Sequence, residues 1–165
     1  MKKNIVLIGM PGVGKSTAGV ILAKVIGYRF LDADLLIQDR EKRLLADIIA
    51  TDGIEGFLKI EEDVNASIEA TECVIATGGS VIYGERAMKH LKEIGTVVYL
   101  KVPFETIDKR LHNIRQRGVV LKDGQTLKDL YEERRVLYEK YADVVINEEG
   151  RGIEDTVEAI VKAMK

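Results

Sequence analysis

The sequence predicts an α/β protein of three layers, in which helices cover both faces of a five-stranded parallel sheet. Short apolar runs rich in β-branched residues alternate with longer amphipathic stretches, as expected for strands joined by crossover helices. A glycine-rich segment of the form G-x-x-x-x-G-K-[ST], residues 9–16, stands between the first strand and the first helix. The 165 residues contain no internal repeat and no low-complexity linker, so we expect one domain, residues 1–165.

Hydrophobic periodicity places the individual elements. The predicted strands are residues 4–8, 29–31, 73–76, 96–101 and 143–146. The predicted helices are residues 15–26, 34–42, 44–50, 54–70, 84–93, 104–114, 126–141 and 152–164. Because the carboxyl ends of parallel strands meet at one edge of a sheet, we expect the segments after the first three strands to gather there.

The glycine-rich segment predicts a site for the phosphates of a nucleotide. Glycines let successive backbone N–H groups turn toward one anion, and the start of a helix adds partial positive charge. In such a loop Lys15 reaches the β- and γ-phosphates, and the Ser16 hydroxyl holds Mg²⁺. A glycine-rich turn that binds nothing is the alternative, and the strand and helix on either side argue against it. The residues predicted to bind the nucleotide are Gly12, Val13, Gly14, Lys15, Ser16 and Thr17.

Two carboxylates, Asp32 and Asp34, directly follow the second predicted strand. Near a bound triphosphate, this arrangement suits a magnesium ion and a hydroxyl nucleophile. The alternative is that Asp34 only caps the helix that begins there.

Two predicted helices carry a charged residue inside an apolar stripe. Glu61 falls among the apolar positions of residues 54–70, and Arg134 falls in the middle of the stripe of residues 126–141. A buried charge needs a partner. Glu61 could instead reach water from the edge of its stripe. Arg134 could meet either Glu61 or the carboxylate of a substrate.

Two loops are further candidates for the site. Residues 77–80, Thr-Gly-Gly-Ser, follow the third strand and permit close approach of the backbone to a ligand, although a plain turn would look the same. Residues 115–124 hold glycines and cations but few apolar residues. They predict a loop that closes over transferred phosphate, or else a solvated run of charge.

Composition excludes several classes of protein. The formal net charge of −2 provides no basic field for nucleic acid. The single cysteine, Cys73, lies in an apolar run and reads as a core residue of a reducing compartment. No apolar run approaches the length of a membrane span, and the apolar part of the N-terminus is too short for a signal peptide. We therefore expect a cytoplasmic protein with no membrane partner.

Taken in order, these motifs resemble the shikimate kinases. The resemblance implies a P-loop kinase fold with strand order 2-3-1-4-5, an acceptor-binding region at about residues 33–62 and a lid at about residues 112–124. It implies the use of ATP and Mg²⁺ to phosphorylate the 3-hydroxyl of shikimate in aromatic amino-acid biosynthesis. We expect the protein to be a monomer. The motifs are the P-loop, Asp32-x-Asp34, Gly56-Phe57-x-x-x-Glu61, Thr77-Gly78-Gly79, Val97-Val98-Tyr99-Leu100 and Arg134-x-x-Leu137-Tyr138-x-x-x-Ala142-Asp143.

The resemblance also implies a role for each matching position. Lys15 would hold phosphates, and Ser16 and Asp32 would serve Mg²⁺. Asp34 would contact the acceptor hydroxyl and serve as its base. Gly78 and Gly79 would contact the acceptor, and Arg134 would bind its carboxylate. Arg110 would stack on adenine, and Arg117 would be the arginine of the lid.

Three departures from the family pattern bear on the acceptor. The family's Phe-Arg-x-x-Glu reads Phe-Leu-Lys-Ile-Glu at residues 57–61, so Leu58 replaces an arginine that binds the acceptor carboxylate. The family's three glycines read Gly-Gly-Ser at residues 78–80, and the lid lacks its proline at position 118. A compensating cation could come from Arg40, Lys42 or Arg43.

Three other functions stay open on the sequence. The first is a kinase of the same fold with a different hydroxylated acceptor. A nucleotide-dependent switch is disfavoured, because neither Asn-Lys-x-Asp nor Asp-x-x-Gly occurs. A non-catalytic ATP-binding protein is disfavoured by the intact Lys15, Ser16, Asp32 and Asp34.

Overall fold

A single parallel sheet of five strands organises the chain, in the order β2-β3-β1-β4-β5. The computed structural model describes residues 3–112, 124–148 and 152–165. All four strand pairings are parallel, which confirms the predicted topology. The strands are β1 (Asn4–Ile8), β2 (Arg29–Asp32), β3 (Cys73–Ala76), β4 (Gly95–Lys101) and β5 (Val144–Asn147).

The burial of each strand follows its position in the sheet. Every residue of β1 and β3 is buried, because these strands have a neighbour on each side and helices on both faces. The edge strands β2 and β5 are largely half-buried or exposed. Predicted and observed strand boundaries differ by one residue at most.

Seven helices connect and cover the strands in the described residues. They are α1 (Lys15–Ile26), α2 (Ala33–Glu41), α3 (Leu45–Ala66), α4 (Glu85–Ile94), α5 (Phe104–His112), α6 (Leu127–Tyr141) and α7 (Ile153–Ala163). None of the helices in these ranges is long and apolar enough to cross a membrane.

Helix α3 differs from the prediction in two ways. The predicted helices 44–50 and 54–70 form one element that is interrupted at Gly53, which has φ 76° and ψ 176°. The element ends at Ala66, four residues before the predicted end. The Ser67 hydroxyl donates to the carbonyl of Val64 at 2.8 Å, an alternative to the next helical bond. A 3₁₀ turn at Val81–Tyr83 was not predicted, because three residues are too few to show a period.

The interior has two apolar clusters. The larger one surrounds the sheet, and the smaller one joins α2 to α3. Leu58 is half-buried against the smaller cluster. The four buried members of the smaller cluster are Ile37, Ile48, Phe57 and Val64.

Candidate active site

The carboxyl ends of β1, β2 and β3 open into one cavity of about 200 Å³. The segments after these strands gather there, as the sequence predicts for a parallel sheet. Helices α3 and α6 complete the walls. The lining residues are Pro11, Gly12, Gly14, Lys15, Ser16, Thr17, Asp34, Leu45, Phe57, Glu61, Thr77, Gly78, Gly79, Ser80 and Arg134.

The glycine-rich loop has the backbone that anion binding requires. Gly12 and Gly14 have φ values of 84° and 89°, in the left-handed region that favours glycine. Gly14 is the N-cap of α1, and within the described residues no side-chain hydrogen bond caps this helix. The N–H donors of its first turn and the positive end of the helix dipole therefore face the cavity, where a phosphate would satisfy them.

Lys15 is a buried cation at the centre of this loop. It is 8% exposed, and its Nζ donates to the carbonyls of Gly9 at 2.7 Å and Met10 at 2.9 Å. Burial lowers the pKa of Lys15 to about 8, while the charge of Asp34 opposes that change. A poorly solvated ammonium group interacts strongly with an anion placed beside it.

Ser16 and Asp32 form the pair predicted for Mg²⁺. The Ser16 hydroxyl donates to Asp32 Oδ2 at 3.0 Å, so two oxygen ligands lie side by side next to the phosphate loop. In the described parts of the chain, no group of three or more His, Cys, Asp or Glu side chains could hold a metal. Other ligands of an ion here would therefore be water and phosphate oxygens.

Asp32, and not Asp34, caps helix α2. Its Oδ1 accepts from the backbone N–H of Asp34 at 2.9 Å and of Leu35 at 3.3 Å. The suggestion that Asp34 serves only as a cap is therefore wrong, because Asp34 is the second residue of the helix and lines the cavity. Burial and the neighbouring charge of Asp32 raise the pKa of Asp34 to about 6, and Lys15 opposes them.

Neighbouring side chains approach the backbone closely at Gly78 and Gly79. A Cβ at Gly78 would lie 2.6 Å from Asp34 Oδ1 and 2.8 Å from Glu61 Oε2. A Cβ at Gly79 would lie 2.6 Å from Pro11 Cδ and 2.9 Å from Arg134 Nη1. These distances are shorter than ordinary contacts, so a side chain at either position would force its neighbours to shift.

Glu61 is buried and does not extend to water. It is 2% exposed, and its Oε1 accepts a hydrogen bond of 2.6 Å from the Ser80 hydroxyl. Its Oε2 has no hydrogen-bond partner among the described residues. Burial raises the pKa of Glu61 to about 7, although the Ser80 hydrogen bond opposes the rise.

Arg134 faces inward, as its place in the stripe predicts. It is 1% exposed and lies over the ring of Tyr83, with Cζ 5.5 Å from the ring centre. Within the described ranges, its Nε and Nη2 have no hydrogen-bond partner, and it forms no ion pair with Glu61. The neighbouring Arg135 instead pairs with Glu132 and Glu139 on the other side of the helix.

Comparison with known proteins identifies the family of this chain. A family model described as shikimate kinase matches residues 11–165. A shikimate kinase of Rippkaea orientalis is 37% identical over 164 residues, which cover 98% of this chain and 87% of that protein. This chain belongs to the shikimate kinase family. A shikimate kinase of Persephonella marina is 34% identical over 150 residues, 90% of this chain and 91% of that protein.

A solved structure of the shikimate kinase family agrees with the fold. It is the shikimate kinase from Acinetobacter baumannii in complex with shikimate, with a TM-score of 0.89 and 31% sequence identity. The match covers 99% of this chain and 93% of that one. The strand order 2-3-1-4-5 that the resemblance implied is confirmed.

The remaining predicted nucleotide residues lie around the loop. Arg110 lies against it, with Nη1 donating to the carbonyl of Gly12 at 2.8 Å. Thr17 lines the cavity, whereas the Val13 side chain is buried in the main core, so only its backbone could meet a ligand. Arg117 and nearly all of the predicted lid lie outside the described residues.

The cations suggested as substitutes for the family arginine do not line the cavity. Arg43 is held by Asp52 at 3.0 Å and Glu41 at 3.1 Å. Arg40 and Lys42 are exposed. Arg134 and Lys15 are therefore the cations that the described residues bring to the cavity wall.

Sequence reasoning missed two supports of the site. Ser80 holds Glu61, and the hydroxyl of Tyr138 donates to the carbonyl of Gly79 at 2.5 Å. Tyr138 is fully buried on the same helix as Arg134, so it steadies the glycine segment that Arg134 approaches. The apolar stripe of residues 126–141 predicted that Tyr138 faces inward, but it could not predict its hydrogen bond to Gly79 on a distant loop.

Proposed function

We propose that this protein transfers the γ-phosphoryl group of ATP to a hydroxyl of a small hydroxylated carboxylic acid, with shikimate as the first acceptor. The observation that carries the proposal is that Asp34 and Arg134 share one cavity with Lys15 and the P-loop. A phosphate, an acceptor hydroxyl and an acceptor carboxylate each have a complementary group in that cavity. The relatives named shikimate kinase support the same acceptor.

ATP bound with Mg²⁺ supplies the phosphoryl group and part of the positive charge that the reaction needs. Ser16 and Asp32 are the residues that would hold the ion, since their oxygens already lie 3.0 Å apart. Lys15 stabilises the charge that moves during transfer. Because its ammonium group is buried, that contribution is larger than it would be in water.

Asp34 orients the acceptor hydroxyl and accepts its proton. With a pKa of about 6, it is mostly ionised at neutral pH and still basic enough for proton transfer. Arg134 holds the acceptor carboxylate with its guanidinium group, which lines the cavity and forms no ion pair within the described residues. We also propose that Arg110 stacks on adenine and that Arg117 belongs to a lid. The enzyme is proposed to be a cytoplasmic monomer.

The test is ADP release coupled to an indicator reaction, with ATP, Mg²⁺ and shikimate, followed by mass spectrometry of the product. The expected result is a product heavier than shikimate by one phosphoryl group, formed only with Mg²⁺ present. A Lys15→Ala protein is the matched negative control. ATP hydrolysis with no phosphorylated acceptor would contradict the proposal.

A different hydroxylated acid is the second candidate acceptor. Leu58 favours it, because the described cavity wall carries one arginine where the family pattern has two. A panel of hydroxy acids and neutral polyols in the same assay separates the two candidates. A kcat/KM for another acid that exceeds the shikimate value would select the second.

A further inference from the structure

Arg134 is a buried cation that contacts an aromatic ring. It is 1% exposed and forms no ion pair within the described residues. Its Cζ lies over the ring of Tyr83, 5.5 Å from the ring centre. A buried cation is costly unless its charge is compensated, and the negative face of a desolvated ring supplies part of that compensation. Tyr83 therefore helps to keep a charged guanidinium group inside the protein.

The ring of Tyr83 is anchored to the helix that carries Arg134. Its hydroxyl donates a hydrogen bond to Oε2 of Glu133, the residue directly before Arg134 on α6. Neighbouring residues of a helix point about 100° apart, so the Glu133 side chain is not turned toward the guanidinium group. Tyr83 connects the two, with its hydroxyl on the carboxylate and its ring against the cation. The bond to a charged acceptor fixes the ring and polarises it, which strengthens its attraction for the cation.

Support from a ring leaves the cation available to a ligand. A carboxylate of the protein would occupy two N–H donors of the guanidinium group in a bidentate pair, in competition with an acceptor carboxylate. An aromatic ring occupies no such pair of donors. Since Arg134 lines the cavity together with Lys15 and Asp34, the supported charge stands where the acceptor is proposed to bind.

The turn that carries Tyr83 is fixed to α6 at a second point. Tyr83 ends the 3₁₀ turn Val81–Tyr83, which follows the glycine segment after β3. In that segment the carbonyl of Gly79 accepts from the Tyr138 hydroxyl at 2.5 Å. Tyr138 lies about one helical turn after Arg134, so the two contacts of the turn with α6 lie on either side of the arginine. They hold the ring in one place relative to the cation.

Resting on the proposed function, we infer that Tyr83 is a positioning residue, which acts with Glu133 to hold the Arg134 guanidinium group toward the acceptor carboxylate. Tyr83 acts through Arg134 and is not a catalytic residue. Without its ring, the guanidinium group is free to turn toward Glu61, a buried carboxylate of the same cavity wall. The preference for an acceptor with a carboxylate then falls, whereas phosphoryl transfer itself does not depend on Tyr83.

The test compares shikimate with its carboxamide, in which a neutral group replaces the carboxylate. Affinities for both compounds are measured by calorimetry with a non-hydrolysable ATP analogue, and kcat and KM are measured in parallel. The variants are Tyr83→Leu, which removes the ring, Tyr83→Phe, which keeps the ring without its hydrogen bond, and Glu133→Ala. The matched controls are Tyr28→Phe, at a half-buried tyrosine directly before β2, and Glu132→Ala, at an exposed neighbour of Glu133.

We expect Tyr83→Leu to reduce the preference for the acid over the carboxamide about 10-fold, through weaker binding of the acid. The affinity for the carboxamide, the KM for ATP and kcat should change little. Tyr83→Phe and Glu133→Ala should each reduce the preference about 3-fold. The double variant should lose no more than either single variant, because both remove the same hydrogen bond. Both controls should match the native protein, and Tyr83→Phe provides the test if Tyr83→Leu does not fold.

Several outcomes would overturn the inference. Equal losses for the acid and the carboxamide would show that Tyr83 only maintains the shape of the cavity. A native protein that binds both compounds equally would refute the role of Tyr83, as would effects of Tyr83→Phe and Glu133→Ala that add fully in the double variant. Phosphorylation of shikimate with an unchanged preference in Tyr83→Leu would refute the inference and leave the proposed function standing. A preference that depends on Tyr83 without phosphoryl transfer would do the reverse.

Discussion

The carboxylates of Asp34 and Glu61 approach the same point beside Gly78. A Cβ there would lie 2.6 Å from Asp34 Oδ1 and 2.8 Å from Glu61 Oε2. Burial raises the pKa of both groups, and the charge of Asp34 adds to that effect on Glu61, whereas the like charge that acts on Asp34 is that of Asp32. The segment after β3 therefore lies against both acids, and a side chain at residue 78 would force at least one of them to move.

Gly78→Ala should displace Asp34 or Glu61 and impair the acceptor site. The new methyl group overlaps both carboxylates, and such overpacking costs about 1–3 kcal/mol. The kcat/KM for the acceptor should therefore fall by up to about a hundredfold, since about 1.4 kcal/mol corresponds to a factor of ten. Steady-state kinetics with a thermal unfolding curve check this. Gly152→Ala is the control, since its Cβ would meet no atom of the described residues within 4 Å. Full activity in Gly78→Ala would show that a methyl group at residue 78 does not displace either carboxylate.

Lys15→Ala should abolish useful turnover in a folded protein. Removal of one preorganised charge stabiliser typically lowers the rate by about 10²–10³. The measurement is kcat by coupled ADP release, with circular dichroism to establish the fold. Lys24→Ala, an exposed lysine on the same helix, should keep the native rate. An unchanged kcat in Lys15→Ala would refute the kinase mechanism.

Asp34→Asn should lower turnover strongly and change ATP affinity little. Asp34 faces the acceptor cavity, whereas Asp32 is bound to Ser16 and to the start of α2. Asp32→Asn is the informative comparison, because it should raise the Mg²⁺ requirement instead. Nucleotide titration and kcat on both variants separate the effects. Lost ATP affinity with retained turnover in Asp34→Asn would show that the two roles are exchanged.

Glu61→Gln should change how stability depends on pH. Burial raises the pKa of Glu61 from its ordinary 4.5 to about 7, so the folded protein holds the proton more tightly than the unfolded chain. The stability that this proton contributes is complete below pH 4.5 and lost as the pH rises to about 7. The shift corresponds to about 3 kcal/mol, as an upper bound.

Urea unfolding of the native and Glu61→Gln proteins, at several values of pH, measures this difference. The variant should gain free energy of unfolding relative to the native protein as the pH rises through this window. Glu55→Gln, at an exposed glutamate of the same helix, should run parallel to the native protein. A difference between Glu61→Gln and native that does not vary with pH would show that Glu61 titrates normally.

Leu58→Arg should improve the use of shikimate. Arg134 is the arginine that the described wall offers to a carboxylate, and Arg43, the nearest alternative in sequence, is engaged by Asp52 and Glu41. A missing charged hydrogen bond costs about 2–5 kcal/mol. The native kcat/KM should therefore be low, and the variant should gain roughly thirtyfold or more.

Leu44→Arg, at a leucine that is 62% exposed, controls for the added charge alone. If the native protein is already efficient and Leu58→Arg gains nothing, then another residue supplies the missing charge. A gain confined to Leu58→Arg would show an acceptor site that has diverged from the family pattern.

The sequence by itself determined the elements and the edge at which the site forms. The positions of Lys15 after β1 and Asp34 after β2 follow from the alternation of strands and helices, because parallel strands all end at one edge. The inward direction of Arg134 follows from the helical period, which sets the direction of a side chain around its axis. These are properties of neighbouring residues, so one stretch of sequence contains them.

Only the tertiary structure decided what stands opposite each of these groups. Periodicity could not tell whether Glu61 is buried or reaches water, since depth depends on what packs over the helix. Its partner Ser80 lies 19 positions away. Asp32 instead of Asp34 caps α2, because the helix begins at Ala33, one residue before the predicted start. Distances between segments remote in sequence arise from the packing of the whole chain, so no local pattern encodes them.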